Sequence, residues 1–383
     1  MNIIIRAPLL SVSGYGVHSR QIFKWLDQRK DVTIFSQVVP WGNTSWMINS
    51  EDRQIKRIVE TSMDLDKKAD ISFQVQLPDE WDSNLAKKNI GVSAFIETDR
   101  CNPSWIESVN KMDLVIVPSV HVRDIILSTG KVTTDLIIIP EWYFEEIDRD
   151  EIKKLDLNLS TKFNFLTIAQ FTGHDAYTDR KNLFFTLKWF CETFSDDPDV
   201  GLILKTNHGR GTQIDRQLTM NKIRQVISEV RRGKYPKIHL LHGNLSPSEI
   251  AGLYNHKDVK CFLSLTRGEG FGLPLLEASA CALPVMTTNW SAHLDFLNLG
   301  KFIPINYSLI EIPDEKVDNR IFLNGMKWAQ PLEDDFKKKV LKFRNRSDIP
   351  KKWAQDLSRQ VRSKFTASTI MLMYDDALDR LLE

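Results

Sequence analysis

The stretch from Thr266 to Glu277, TRGEGFGLPLLE, constrains the fold of this chain more than any other segment. It follows an apolar run typical of a buried strand (259–265) and leads into a run typical of a helix (273–282). Three glycines in five residues allow a sharp turn and a close approach of the backbone to a ligand. Pro274 is suited to the first turn of a helix, where its missing N–H costs nothing. The stretch therefore predicts a strand, a ligand-facing turn and a helix.

The start of that helix is also a predicted ligand site. Free amides at a helix N-terminus, together with the positive end of the helix dipole, bind anions such as phosphate. Glu269 in the turn and Glu277 in the helix would repel a phosphate, so we expect them to accept hydrogen bonds from the hydroxyl groups of a sugar or a ribose. The stretch thus predicts a nucleotide-sugar site.

The rest of the chain alternates short apolar strand-like runs with longer helix-like runs, the pattern of parallel α/β sheets. With 383 residues, the chain is long enough for two domains. A charged segment without a regular pattern (141–160) predicts the linker between them. We therefore expect two successive Rossmann-like domains, over 1–150 and 151–364, with predominantly helical sequence over 331–383.

Composition excludes several classes of protein. The chain is 42% hydrophobic and 26% charged, as in soluble globular proteins, and no apolar run approaches the roughly 18 residues of a membrane-spanning helix. Its four cysteines lack CxxC spacing, which favours reduced thiols. The first residues lack the basic region of a signal peptide. These observations predict a cytoplasmic protein.

A second glycine-rich loop follows the first predicted strand. Gly14 and Gly16 precede a predicted helix, as in a phosphate-binding loop, although such glycines often serve only to make the turn. A dinucleotide fingerprint requires a third glycine where this chain has Ser19. A nicotinamide-dependent oxidoreductase is therefore disfavoured.

Three cations follow strands of the second predicted domain. Arg180 and Lys181 precede a helix after the first strand, and Lys205 ends the next strand. Ligands of parallel sheets bind at the carboxyl edge, where such cations would clamp a diphosphate. The alternative is that they are solvated loop charges. This alternative is weaker for Lys181 and Lys205 than for Arg180, and the apolar strand that Lys205 ends is a poor location for an ammonium group without a role.

Metal ligands are not expected in this chain. Two Asp-x-Asp pairs, Asp64/Asp66 and Asp148/Asp150, lie in charged helix-like or linker sequence rather than at a strand end. His239 and His242 lie within one strand and are more typical of structural histidines. We therefore predict no metal and no cofactor besides the donor substrate.

Glu269 and Glu277 enclose seven residues, and in the context GEGFGLPLLEASA this pair closely resembles the acid pair of the retaining GT-B glycosyltransferases of family 4. The resemblance covers most of the chain. Further segments that fit the family in order are 13–16, 97–105, 113–119, 137–140, 180–182, Lys205, 243–246 and 283–288. The resemblance implies the GT-B fold, with two Rossmann-like domains facing a cleft and a C-terminal helix (365–383) that crosses back to the first domain.

The resemblance also implies roles for individual residues. Lys181 and Lys205 would contact the donor diphosphate, Glu269 the transferred sugar and Glu277 the ribose. Backbone groups near phosphate, sugar and base would come from Gly14, Gly16, Phe271, Gly272, Asn244 and Leu245.

The chain also departs from the family pattern. Many members carry an arginine where this chain has Gln170, which leaves Arg180 or Arg267 as candidates for that charge. The frequent active-site histidine of the first domain has no clear counterpart. Glu97, at the end of a predicted strand (90–96), is our candidate for that place, and His121 is a weaker one.

The implied activity is metal-independent, retaining transfer of a sugar from a nucleoside-diphosphate sugar to a hydroxyl acceptor. A glycan or a lipid-linked saccharide is the default acceptor, and the second would bring peripheral membrane contact. DNA carrying hydroxylated bases is an alternative, which is disfavoured because residues 1–150 carry more acidic than basic side chains. A non-catalytic nucleotide-sugar binding protein is a further alternative.

Overall fold

The computed structural model describes residues 1–49, 51–149, 151–207 and 209–382. They form two compact units, Met1–Trp142 with Ala367–Glu383 and Tyr143–Thr366. The expected boundary at 150 lies inside the second unit, because Tyr143 and Ile147 are already buried there. Asp150, half of one dismissed Asp-x-Asp pair, lies outside the described residues.

The first unit contains a six-stranded parallel sheet in the order β2-β1-β3-β4-β5-β6. Its elements are β1 (Asn2–Ala7), α1 (Gly14–Gln28), β2 (Thr33–Val38), α2 (Arg53–Glu60), β3 (Ala69–Val75), β4 (Ala86–Val92), α3 (Ser104–Val109), β5 (Leu114–Val117), α4 (Val120–Thr129) and β6 (Leu136–Ile138).

The last helix of the chain, Ala367–Leu382, completes the core of this first unit. Its Tyr374 stacks on Trp25 of α1 with ring centroids 5.1 Å apart, and the Tyr374 hydroxyl lies 3.0 Å from Nε2 of His18. Trp25 Nε1 donates to Asp375 at 2.9 Å. These contacts place the C-terminal helix where the prediction for 365–383 put it, starting two residues later, at Ala367.

The second unit contains a six-stranded parallel sheet in the order β12-β11-β10-β7-β8-β9. Its elements are β7 (Phe163–Ile168), α5 (Leu183–Thr193), β8 (Val200–Thr206), α6 (Gln213–Val230), β9 (Lys237–His242), α7 (Pro247–Tyr254), β10 (Val259–Ser264), α8 (Leu273–Ala280), β11 (Val285–Thr288), α9 (Leu294–Leu297) and β12 (Ile303–Ile305).

Strand β7 is the point where the strand order of this second sheet reverses. The chain leaves β7 towards β8 and β9 on one side, while β10 pairs with β7 on the other side. Loops that leave neighbouring strands in opposite directions open a crevice at the carboxyl edge of the sheet, where ligands of such folds bind. The loops after β7 (169–182) and β10 (265–272) meet this condition.

The remainder of the second unit consists of an antiparallel hairpin and two helices. The hairpin pairs β13 (Tyr307–Glu311) with β14 (Lys327–Pro331) and was not predicted. Helices α10 (Glu333–Asn345), α11 (Asp348–Lys364) and α12 (Ala367–Leu382) agree with the helical sequence expected after residue 331. Among the described residues, no helix is long and apolar enough to cross a membrane.

Candidate functional site

The turn between β10 and α8 has the conformation that its glycines predict. Gly272 precedes the helix with φ +99°, a left-handed conformation that glycine adopts without strain. A Cβ at this position would also lie 3.1 Å from the Cβ of His293. Pro274 occupies the first turn of α8, as expected. Among the described residues, the amides of Phe271 and Gly272 have no acceptor, so the helix start can receive an anion.

Glu269 in this turn forms an ion pair with Lys181 from the loop after β7. The Lys181 Nζ lies 2.6 Å from each oxygen of the Glu269 carboxylate, which is largely buried. Burial raises the pKa of Glu269, but the charges of Lys181 and Arg180 outweigh that effect and hold it below the usual value. Glu269 is therefore an ionised carboxylate at neutral pH.

The loop that carries Lys181 is held by Asp179. The Asp179 carboxylate accepts hydrogen bonds from the backbone and hydroxyl of Thr172 and from the backbone of Leu183, all at 2.8–2.9 Å. Arg180 Nη1 donates to the carbonyl of Gly268 at 2.8 Å. The structure thus brings together Arg180, Lys181 and Glu269, three of the predicted site residues.

Arg267 does not have the predicted position. It is fully buried, and its guanidinium donates to the carbonyls of Ala176, Tyr177 and Asp179 and to Oε1 of Gln330, at 2.7–3.0 Å. These contacts use all five N–H groups of the side chain. Arg267 therefore stabilises the loop before Lys181 from the interior of the unit. This structural role replaces its predicted role as a ligand of the donor phosphate.

Lys205 lies near the end of β8, paired in register with Ile168 of β7. Its side chain is buried, and it has no hydrogen-bond or ion-pair partner among the residues that the structure describes. Burial lowers the pKa of Lys205 to about 8. A buried ammonium at the carboxyl edge of a parallel sheet is ready to accept an anionic ligand.

Glu277, the second acid of the pair, lies inside the unit at the first turns of α8. Its Oε2 accepts a hydrogen bond from the hydroxyl of Tyr254 at 2.8 Å. Burial raises the pKa of Glu277 to about 8. At neutral pH the group is largely protonated, so it can both donate and accept hydrogen bonds. The sequence predicted the residue but not its protonation.

The proposed base-contacting residues lie in the loop after β9. Asn244 is exposed, and its Oδ1 accepts from Nδ2 of Asn207 at 2.5 Å. Asn207 Oδ1 in turn accepts from the amide of Gly243 at 3.0 Å, which orders the loop. Leu245 is half-buried beside them. Their contacts with a base stay a prediction.

The glycines of the first unit differ in what their positions require. Gly14 begins α1 and is exposed, with no atom within 4 Å of the position of a Cβ. The amide of Gly16 donates to Oγ of Ser13, the N-cap of α1, at 3.1 Å, and a Cβ there would lie 2.0 Å from the carbonyl oxygen of Ser11. Gly16 is thus a packing glycine with an occupied amide, which corrects its assignment to a phosphate.

Glu97, the candidate acid of the first unit, does not end a strand as expected. Strand β4 ends at Val92, and Glu97 follows in an irregular segment that includes Phe95 at φ 51°. Tyr15 of α1 anchors this segment, because its hydroxyl contacts Oγ of Ser93 at 2.9 Å and accepts from the amide of Ala94 at 3.1 Å. The catalytic role of Glu97 stays a prediction, as does that of His121 in α4.

Three further residues of the candidate site were not predicted from the sequence. Tyr254 contacts Glu277, as described above. Ser291 Oγ accepts from the amide of Glu269 at 2.9 Å, and His293 follows it, with Nε2 2.8 Å from the carbonyl of Thr288. The sequence could have indicated Ser291 and His293, because both closely follow β11 at the same carboxyl edge of the sheet. Among the described residues, no group of three or more potential metal ligands is present.

Comparison with known proteins agrees with this geometry. Residues 231–316 match the family model "Glycosyl transferases group 1". A probable sucrose-phosphate synthase of Thermosipho melanesiensis is 26% identical over 165 residues, which are 42% of this chain and 32% of that protein. The chain therefore spans about a third of the length of this curated relative.

Solved structures share the fold over the full chain. A sucrose-phosphate synthase from Thermosynechococcus elongatus superposes with a TM-score of 0.67 at 13% identity, covering 100% of this chain and 99% of that one. The Anabaena protein HepE, in complex with UDP and glucose, superposes with a TM-score of 0.61 at 13% identity, covering 99% and 100%. The full chain thus shares the GT-B fold of these structures, which confirms the predicted fold, and residues 231–316 match the group 1 glycosyl transferases, the class of enzyme that the sequence predicted.

Proposed function

We propose that this chain is a retaining, metal-independent glycosyltransferase that moves a sugar from a nucleoside-diphosphate sugar to a hydroxyl group of a saccharide acceptor. The observation that carries the proposal is Lys205. Burying an ammonium group without a counter-charge costs on the order of several kcal/mol. A bound diphosphate would offset that cost, since β8 delivers Lys205 to the edge where the Lys181 loop and the start of α8 lie.

The remaining groups of the site suit the other parts of such a donor. Arg180, Lys181 and the amides before α8 supply further positive potential for the diphosphate. The ionised Glu269 can accept hydrogen bonds from sugar hydroxyls, which have no charge to repel it. The protonated Glu277 can exchange hydrogen bonds with a ribose. One edge of the second sheet therefore provides partners for phosphate, sugar and ribose.

The chemistry follows from where charge develops. The bond between the anomeric carbon and the diphosphate oxygen breaks, and negative charge grows on the leaving group. Lys205, Lys181 and the helix-start amides stabilise that charge because they are fixed before the reaction begins. The departing phosphate oxygen takes the proton of the acceptor hydroxyl, whose oxygen bonds to the anomeric carbon on the same face. This retaining course, without a dedicated base, follows the family that the sequence resembles.

The acceptor in this proposal is a glycan or a lipid-linked saccharide, and the second would bring the enzyme to a membrane surface. The UDP and glucose bound by HepE make a UDP-hexose the first donor to test. A cytoplasmic location is part of the proposal, because all four cysteines are free thiols.

The test is a thermal-shift screen of UDP-, GDP- and ADP-sugars, followed by analysis of donor hydrolysis with and without EDTA. We expect one class of donor to stabilise the protein and to be hydrolysed slowly at the same rate in both conditions. Absence of both binding and hydrolysis across the panel would refute the proposal.

The acceptor is tested separately. Once a donor is known, transfer to oligosaccharides and lipid-linked saccharides is followed by mass spectrometry, and the anomeric configuration of the product is read by NMR. An inverted product would refute the retaining course. A shift of duplex DNA in a low-salt gel would instead favour a nucleic-acid acceptor.

A further inference from the structure

Lys181 and Glu269, which belong to different loops of the second unit, form an ion pair with each other. Lys181 Nζ contacts both carboxylate oxygens of Glu269 at 2.6 Å, and the two side chains are only 21% and 11% exposed. Lys205, the other lysine of the site, has no such partner among the described residues. A diphosphate that binds both lysines would therefore compete with a carboxylate for Lys181 but not for Lys205.

A ligand that recruits Lys181 must draw it away from Glu269. A nucleotide sugar can compensate for this loss, because the sugar hydroxyls donate to the carboxylate while the phosphates take the ammonium. A nucleoside diphosphate cannot, because it offers no hydroxyl there. It places a doubly charged terminal phosphate near an ionised carboxylate that has lost its cation.

The backbone around the pair limits how far Glu269 can retreat. Its amide donates to Oγ of Ser291 at 2.9 Å, and its carbonyl accepts from the amide of Ala292 at 3.3 Å. The nearby His293 is buried, and burial lowers its pKa, so it is neutral and adds no cation. Arg180 donates to the carbonyl of Gly268 through Nη1, and its charge lowers the pKa of Glu269 less than the charge of Lys181 does. A displaced Lys181 therefore leaves Glu269 with the weaker of its two nearby cations.

We propose that Glu269 selects the sugar-loaded donor over the spent nucleotide, by competing with the terminal phosphate for Lys181. This inference rests on the proposed function and assigns Glu269 a second task beside contact with the sugar. The spent nucleoside diphosphate is expelled because the ion pair re-forms once the sugar has left. The site thereby resists inhibition by its own product.

Calorimetry on the full chain tests this selection. Wild type and Glu269→Gln are titrated with UDP, GDP and ADP and with the matching nucleotide sugars. Glutamine keeps the shape of the side chain and removes its charge. We expect Glu269→Gln to bind the nucleoside diphosphate about tenfold more tightly, or about 1.4 kcal/mol, and the nucleotide sugar about tenfold more weakly. The preference for the loaded donor then falls about 100-fold.

Glu192→Gln is the matched control. Glu192 is a partly buried acid of the same unit that pairs with Lys188 and Lys337 at 2.7–2.8 Å. Its replacement changes net charge by the same amount and should leave both affinities unchanged. Lys181→Met supplies a second test, because Glu269→Gln should no longer tighten nucleoside-diphosphate binding in that background. If Glu269→Gln does not fold, Glu269→Ala removes the same charge.

The outcomes separate the two claims. Wild type that binds nucleotides, with a Glu269→Gln variant that binds the nucleoside diphosphate no more tightly, would refute the selection and leave the proposed function standing. Wild type that binds neither nucleotides nor nucleotide sugars would overturn the proposed function and this inference with it.

Discussion

Replacement of Lys205 by methionine should stabilise the ligand-free protein while it weakens donor binding. Burial moves the pKa of Lys205 from 10.5 to about 8. Because each pKa unit corresponds to about 1.4 kcal/mol, keeping this ammonium charged at neutral pH costs about 3 kcal/mol of folding stability. Methionine has a similar length and no charge, so Lys205→Met should recover up to about 3 kcal/mol.

The same reasoning fixes the dependence on pH. Since the folded pKa lies below the unfolded one, the destabilisation by Lys205 is complete below about pH 8. It is relieved as pH rises from about 8 towards 10.5. Donor affinity should fall over the start of this range, because the folded protein loses the cation that binds the phosphates.

Urea denaturation of wild type and Lys205→Met, with and without a nucleotide sugar, measures both effects. Lys188→Met is the control, because Lys188 forms a partly exposed ion pair with Glu192, and its loss should cost about 1 kcal/mol or less. A Lys205→Met variant that is less stable than wild type without ligand would contradict the idea that the charge is held at a cost. Undiminished donor affinity would contradict the role of Lys205 in binding.

Three further changes test other parts of the site. Because burial raises the pKa of Glu277 from 4.5 to about 8, the free energy of unfolding of the wild type should fall as pH rises through this range. In thermal melts across this range, Glu277→Gln should show a smaller loss of stability with pH. An unchanged slope would contradict a buried, protonated Glu277. Gly16→Ala should destabilise the first unit by roughly 1–3 kcal/mol, because the added Cβ would overlap the Ser11 carbonyl. Gly14→Ala should melt at the same temperature as wild type, because nothing lies within 4 Å of its Cβ position. Equal losses of stability in the two variants would contradict the different roles of the two glycines. Arg267→Lys should lower the free energy of unfolding, measured by urea denaturation, by about 2–4 kcal/mol. The reason is that an ammonium group cannot reach the three carbonyls and Gln330 together. A denaturation curve like that of wild type would show that these contacts do not hold the loop.

Much of the fold was predictable because its central strands are buried on both faces and several of its helices carry local end signals. Helix α4 (Val120–Thr129), for example, begins after Ser119, a residue type that favours the N-cap, and Oγ of Ser119 accepts from the amide of Val122 at 3.2 Å. The hairpin of β13 and β14 was missed because β13 is largely exposed and carries no continuous apolar run. Its sequence resembles that of a loop.

The acid pair and the cations were found because glycine-rich turns and strand-end charges are local patterns. Arg267 shows the limit of such patterns, since an arginine beside a glycine-rich turn has the same local sequence whether it faces a ligand or the interior. Its partners lie about 90 positions away in the chain or in the unpredicted hairpin. The pKa of Glu277 likewise depends on burial and on Tyr254, which no spacing in the sequence indicates.

A crystal structure with an unreactive fluorinated nucleotide sugar tests the central claim most directly. We predict that the diphosphate lies within hydrogen-bonding distance of the Nζ atoms of Lys205 and Lys181, and that a sugar hydroxyl replaces Lys181 on the carboxylate of Glu269. A bound donor that contacts neither lysine, or one that leaves the Lys181–Glu269 pair closed at its present 2.6 Å, would contradict the account.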